Sequence, residues 1–185
     1  MGGRYFASLD VNDPNTREQL VEAQNVVTDY GSNSPTRPEQ FHITLNFFGE
    51  LGERDVKLVR EQMEGLTQEP FELQLRGLGV FPDLDYISVV WAGTGRGRSQ
   101  VKKLASALHG QLEDRFIQDQ DFHPHVTLMR LKGIDHEEKE RLQQLIQDNT
   151  DRVFGTIHVD SVLLKKSIRE EGGARHVKVT EFDLQ

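Results

Sequence analysis

The sequence predicts an internally duplicated α+β domain, and three observations carry that prediction. Apolar residues switch between a period of two and helical spacing, so strands and helices alternate along the chain. The order strand, helix, strand, helix, strand occurs twice, and an offset of 83 residues superimposes the two runs. With 185 residues the chain fits one compact domain, 1–185, built as two lobes and large enough to bury a core.

Tyr5 to Leu9 reads as the first strand. Asp13-Pro14 opens a helix, with Asp as N-cap and Pro at the first helical position, and Leu20, Ala23, Val27 and Tyr30 follow at helical spacing. Gly31 to Pro38, rich in Gly, Ser, Asn and Pro, is expected as a loop. His42 to Phe48 is a strand, and Val56, Val59, Met63 and Leu66 form the stripe of a second helix. Phe71, Leu73 and Leu75 alternate as a strand, Tyr86 to Trp91 is another, and Gly93, Gly95 and Gly97 mark a loop. Val101, Leu104, Ala105, Leu108 and Leu112 give the third helix. His125 to Leu131 is a strand, and Asp135 with Glu138 forms a capping box before Leu142, Leu145 and Ile146. Two closing strands, Val153 to Leu164 and Arg175 to Thr180, flank a Gly172-Gly173 turn. The offset sets Thr44 on Thr127, Leu45 on Leu128, Val59 on Leu142, Met63 on Ile146 and Phe71 on Phe154, and it carries the first strand onto Ser88 to Trp91.

Composition removes several classes of function. There is no cysteine, hence no disulfide framework, thiolate metal site or cysteine nucleophile. No apolar run reaches membrane-spanning length, and Met1-Gly2-Gly3-Arg4-Tyr5 lacks the apolar core of a signal peptide, so a cytoplasmic protein is expected. A net charge of −8 argues against coating long nucleic acid, though not against gripping one terminal phosphate. The basic spots Arg96, Arg98, Lys102, Lys103 and Lys165, Lys166, Arg169 read as solvated surface.

Side chains two apart on a strand share a face. His42, Thr44, Asn46 and Phe48 therefore point one way, with Ile43, Leu45 and Phe47 toward the core. His125 and Thr127 repeat the pattern opposite Val126 and Leu128. Two such strands about an approximate two-fold axis would set an imidazole on either side of one phosphate. One neutral histidine would take a proton from water and the other, as imidazolium, would give one to the leaving ribose oxygen. The ordinary histidine pKa of about 6.5 suits both tasks. The threonine hydroxyls would donate to the non-bridging oxygens. No metal or cofactor is needed.

The segments His42-Ile43-Thr44-Leu45-Asn46-Phe47-Phe48-Gly49 and Phe122-His123-Pro124-His125-Val126-Thr127-Leu128-Met129-Arg130 resemble the paired signatures of the two-histidine phosphoesterases. Phe81-Pro82 and Trp91-Ala92-Gly93 between them add to the likeness, which is greatest to the RNA 2′,3′-cyclic phosphodiesterase branch, also called 2′–5′ RNA ligase-like. The resemblance implies a bilobal α+β fold of two antiparallel sheets with flanking helices around a central cleft. It implies hydrolysis of a terminal RNA 2′,3′-cyclic phosphate to a 2′-phosphate. It also implies His42 as general acid and His125 as base, Thr44 and Thr127 on the phosphate, Arg130 as a cationic contact, and Phe48 stacked on the terminal base. Pseudo-symmetry alone allows the reverse acid and base assignment. Arg130 has the opposite parity to Thr127, so a regular strand turns it away, and only a bulge or strand end would return it to the cleft. The expected partners are RNA ends or small nucleotides carrying the cyclic phosphate, bound by a monomer without membrane or obligate protein partner.

Two other readings remain in view. His123 and His125, on one face of a strand, could begin a metal site of a metal-dependent hydrolase, although no third ligand stands out nearby. The same cleft could also serve as a non-catalytic nucleotide-binding module. His109, His136, His158 and His176 read as solvated surface residues, and the Gly93 to Arg98 loop lacks Walker spacing and reads as a connector.

Overall fold

The computed structural model describes residues 4–110, 122–171 and 173–185. Met1 to Gly3, Leu112 of the expected third helix and Gly172 of the expected turn lie outside the described residues. The elements run β1 (Arg4–Asp10), α1 (Pro14–Val27), β2 (Ser32–Pro35), a 3₁₀ turn (Pro38–Gln40), β3 (His42–Glu50), α2 (Glu53–Glu64), β4 (Phe71–Pro82), β5 (Ile87–Thr94), α3 (Arg98–Gly110), β6 (Val126–Lys132), α4 (His136–Asp148), β7 (Val153–Val159), β8 (Ser161–Glu170) and β9 (Gly173–Asp183).

The helix starts follow their local chemistry. Thr16 N–H donates to the Asp13 carboxylate at 2.7 Å, with Pro14 just inside the helix. At α4 the capping box is reciprocal: Glu138 N–H donates to Asp135 at 2.8 Å and Asp135 N–H to Glu138 at 3.0 Å. Leu20, Ala23 and Val27, Val59 and Met63, and Leu142 and Ile146 are all buried, as their spacing requires.

All strand pairs are antiparallel, and the order is β7-β4-β5-β6-β3-β1-β8-β9, with β2 paired to β6. The fold is α+β, but the two sheets expected from the resemblance form one. Between β6 and β3 the sheet is joined by a single pair, Ile43 opposite Val126. On either side of it stand β3-β1-β8-β9 and β6-β5-β4-β7, so the strand order reads outward in the same way from the joint. Helix α1 crosses from its own half to pack on β6 and β7, and α3 packs on β3 and β4.

Three local expectations change. The polar stretch after α1 contains β2, because its backbone finds the edge of β6, with Ser32 opposite Lys132 and Pro35 opposite Met129. The closing strand expected over Val153 to Leu164 is two strands meeting at Asp160, with β7 on β4 and β8 on β1. Phe154 therefore lies on an outer strand of the sheet, whereas Phe71 lies on β4 inside it, although the 83-residue offset matches them. Gly93 belongs to β5 rather than to a loop. Among the described residues no helix is long and apolar enough to cross a membrane.

Candidate active site

The joint between the halves organises the site. Ile43 and Val126 face each other and are fully buried, which leaves their neighbours His42, Thr44, His125 and Thr127 half-buried on the other face. In antiparallel register His42 and His125 are diagonal across this pair, a relation that spans about 7–8 Å between backbones in a regular ladder.

Each imidazole is anchored in the same way. His42 Nδ1 bonds the Gln40 carbonyl at 2.7 Å, and His125 Nδ1 bonds the His123 carbonyl at 2.6 Å. A carbonyl only accepts, so Nδ1 carries the proton in the neutral ring and Nε2 carries the lone pair. His42 Nε2 lies 3.2 Å from Thr44 Oγ1. Gln40 and His123 are themselves related by the 83-residue offset.

The same offset relates the two registers. Ser8 pairs with Thr44 and Leu9 with Ile43, while Trp91 pairs with Thr127 and Ala92 with Val126. One step on, Ala7 pairs with Asn46 and Val90 with Met129, so Leu45 and Leu128 are each an extra residue in the strand. These matched bulges reverse the parity beyond them. Phe47 then lies opposite Phe6, and Arg130 opposite Val89.

That reversal changes the face on which two of the expected site residues stand. Arg130 shares a cross-strand row with Val89 and Phe81, and the Phe81 ring stands 4.8 Å from His125. The guanidinium thus belongs to the cleft face, the orientation a regular strand would have denied it. Phe48 goes the other way: it is 5% exposed within the core, whereas Phe47 is 69% exposed. The base-stacking assignment to Phe48 is therefore corrected, since the bulge carries its ring to the core face and brings Phe47 to the cleft face, 6.0 Å from Phe6.

Around His42 the lining is charged. Lys165 is only 6% exposed and ion-paired to Asp10, so reading it as solvated surface is corrected too. A buried ammonium persists here because a carboxylate is supplied with it. Loss of hydration pushes the His42 pKa down to about 4; the Gln40 hydrogen bond and Asp10 oppose the fall, and Lys165 and His176 reinforce it. His176, expected on the surface, is half-buried and packs edge-to-face on His42 at 5.3 Å. Its strand alternation gave no sign of this, because its partners lie on β1 and β3.

Around His125 the lining is aromatic. Phe81 packs at 4.8 Å and Trp91 at 5.9 Å, and Trp91 also lies 4.8 Å from His123. The indole covers Gly79, its cross-strand partner, where any Cβ would collide with it. Arg98 Nη2 donates to His123 Nδ1 at 3.1 Å. Burial first, then Arg98, His125 and Lys102, hold the His123 pKa low. Of the remaining histidines, His136 and His158 are exposed; His158 pairs with Glu72.

Residues 4–173 match the family model described as the AKAP7 2′5′ RNA ligase-like domain. The chain is 36% identical over 137 residues to the RNA 2′,3′-cyclic phosphodiesterase of Aeropyrum pernix, covering 73% of this chain and 77% of that protein. It is 28% identical over 181 residues to the enzyme of the same name from Archaeoglobus fulgidus, covering 97% and 99%. The crystal structure of TT0787 of Thermus thermophilus superimposes with a TM-score of 0.82 at 26% identity, covering 98% of this chain and 97% of that one. That of Escherichia coli LigT complexed with ATP, 22% identical with a TM-score of 0.76 and coverage of 100% and 99%, shares the fold. The chain belongs to the 2′–5′ RNA ligase-like family of two-histidine phosphoesterases.

Proposed function

We propose that this chain hydrolyses terminal 2′,3′-cyclic phosphates on RNA to 2′-phosphates, without a metal ion, using His42 and His125 as an acid–base pair. The observation that carries the reading is the symmetric placement of two imidazoles, each with Nδ1 on a carbonyl, about the Ile43–Val126 joint. The relatives named RNA 2′,3′-cyclic phosphodiesterase support the substrate class. In this reaction water attacks phosphorus and loses its proton to one imidazole. The bond from phosphorus to the 3′-oxygen breaks, and the other imidazole protonates that oxygen. Thr44 and Thr127 donate to the non-bridging oxygens, Arg130 adds positive charge, and the exposed Phe47, in place of Phe48, offers a face to the terminal base. The two halves are best understood as copies related by the 83-residue offset, each supplying one imidazole and one hydroxyl.

Metal independence draws support from Arg98. A guanidinium donating to His123 opposes a divalent cation on the same ring, so His123 and His125 make a poor pair of ligands. The test is turnover of a short RNA ending in a 2′,3′-cyclic phosphate in excess EDTA, with the product identified by phosphorus NMR. A 2′-phosphate is expected. A 3′-phosphate would reverse the regiochemistry, activity only with added metal would restore the metal reading, and saturable binding without turnover would make the cleft a nucleotide-binding module.

The family pattern makes His42 the acid and His125 the base. One observation favours the reverse: with its pKa near 4, His42 is neutral in the unliganded cleft. If His42 is the acid, it must gain its proton together with the anionic substrate. The ¹⁵N chemical shifts of both imidazoles, recorded at pH 7 with a non-hydrolysable cyclic-phosphate analogue bound, separate the two. An imidazolium at His42 with a neutral ring at His125 assigns the acid to His42, and the opposite pattern assigns it the base.

A further inference from the structure

The C-terminal hairpin brings to the cleft a third imidazole that the two-histidine scheme does not use. His176 sits on β9, opposite Ser167 of β8, an outer position where a histidine would ordinarily be solvated. Here its ring stands 5.3 Å from His42 at 84° and 4.9 Å from Phe6 at 78°, and Phe6 in turn stands 5.2 Å from His42. The three rings form a closed triangle at separations typical of packed aromatics. This matters because the ring torsion of histidine is intrinsically broad. Backbone and strand fix where His42 begins, but a ring flip would take Nδ1 off the Gln40 carbonyl and Nε2 away from Thr44.

His125 has a corresponding neighbour. Phe81 meets its ring at 4.8 Å and 81°, nearly the same edge-to-face arrangement that His176 makes with His42. We infer that His176 is a positioning residue for His42, holding the ring plane and tautomer of that imidazole by edge packing, as Phe81 does for His125. The inference rests on the reading of His42 as half of the acid–base pair.

The surroundings of His176 suit a neutral ring. Its Nδ1 is buried and makes no hydrogen bond, so a proton there would be an unpaired buried donor. Burial and Lys165 hold its pKa down against Asp10. Besides His42, the charged groups around this site are Asp10 on β1, Lys165 on β8, and Lys178 on β9, the last bonded to Glu181. A cationic His176 would add a second positive charge beside His42 and oppose its protonation during turnover.

Two variants and two readouts test this. The variants are His176→Ala, which removes the ring, and His176→Phe, which keeps an edge and loses the nitrogens. Turnover of cyclic-phosphate-terminated RNA is measured beside the tautomer of His42, read by long-range ¹⁵N–¹H correlation in the unliganded protein. His176→Ala is expected to lower kcat about tenfold with KM within about twofold, and His176→Phe to recover most of that loss. In the parent and in His176→Phe the His42 proton sits on Nδ1; in His176→Ala the single tautomer is lost. Unchanged kcat and tautomer in His176→Ala would overturn the inference. So would a His176→Phe variant as slow as His176→Ala with the His42 tautomer intact, since the nitrogens would then be touching substrate. If the parent itself does not turn over the RNA, the proposed function fails separately and the tautomer readings alone decide the role of His176.

Discussion

The two halves of the cleft share a register and differ in what fills it. Across β3, β1 and β8 one row reads Phe47, Phe6, Lys165; across β6, β5 and β4 its counterpart reads Arg130, Val89, Phe81. The next row reads Thr44, Ser8, Leu163 in one half and Thr127, Trp91, Gly79 in the other. Histidine and threonine recur, while cation and aromatic ring exchange places. The first half buries a Lys165–Asp10 pair beside its imidazole and exposes a phenyl ring; the second packs aromatic rings on its imidazole and exposes a guanidinium. On the proposed function, repetition supplies the proton-transfer groups, and divergence gives the two halves unlike ends that suit a substrate with a base at one end and a phosphate at the other.

The strongest way to break this comparison is to remove one imidazole at a time. His42→Ala and His125→Ala are each expected to lower kcat by about 10²–10⁴ while the protein remains folded. Because the two act on one displacement, the double variant is expected to be far less impaired than the product of the two losses. Steady-state turnover of all three checks this. A silent single variant would show that only one half carries chemistry.

Phe47 and Phe48 sharpen the comparison within one half. Phe48→Ala empties part of the core and is expected to cost about 3–5 kcal/mol of stability. Phe47→Ala is expected to leave the unfolding midpoint nearly unchanged and to weaken nucleotide binding by about 1–2 kcal/mol, read as a raised KM. Urea denaturation and substrate titration of the two variants would settle which ring serves which purpose; the opposite pattern would restore Phe48 to the site.

The loss of hydration that lowers the His42 pKa also makes the fold sensitive to acid. With a folded pKa of about 4 against 6.5 in the unfolded chain, the unfolded state binds more protons between those values. Stability is therefore lost as pH falls from 6.5 toward 4 and levels below. At roughly 1.4 kcal/mol per pH unit the gap corresponds to about 3 kcal/mol. Denaturant unfolding at pH 7 and pH 4.5 should find this loss reduced in His42→Gln, carboxylate effects being common to variant and parent.

What the sequence made legible followed local chemistry. Asp13 and the Asp135–Glu138 box announced their helices, and Leu20, Ala23 and Val27 with Leu142 and Ile146 announced what those helices bury, although Tyr30, read into the first stripe, lies beyond the end of α1. The paired His-x-Thr strands were legible because repetition itself is a signal. What failed depended on partners distant in the chain. Alternation cannot reveal the bulges at Leu45 and Leu128, which exist only against the registers of β1 and β5; Phe47 and Phe48, both apolar, left no clue to their exchange. Ser32 to Pro35 is a strand because β6 offers it an edge, not because of its own propensity. His176 meets Phe6, 170 residues earlier, only through the docking of the hairpin.

The smallest expected effect tests whether the two bulges are held alike. Leu128, the bulged residue of β6, has its carbonyl bonded by Gln24 Nε2 at 2.6 Å and by the Thr36 N–H at 2.9 Å. Gln24 is a buried side chain on α1 that also donates to the Thr36 carbonyl at 2.8 Å. On α3 the buried stripe Val101, Leu104, Ala105 and Leu108 has the spacing of Leu20, Ala23, Gln24 and Val27, so the place of Gln24 is taken by Ala105, whose side chain has no donor to offer Leu45. Gln24→Met keeps the volume and removes the amide, and because Thr36 still serves the Leu128 carbonyl the stability loss should be only about 1–2 kcal/mol. Its effect on the site should be confined to one half. If the Gln24 amide holds the turn that faces Arg130 into the cleft, Gln24→Met weakens phosphate binding in the parent but adds little once Arg130→Met is present. The coupling expected is about 0.5–1 kcal/mol, measured by isothermal titration with a 2′-nucleotide. The same cycle with Phe47→Ala should return none, and a coupling there equal to that with Arg130 would mean that Gln24 supports the whole joint rather than the second bulge.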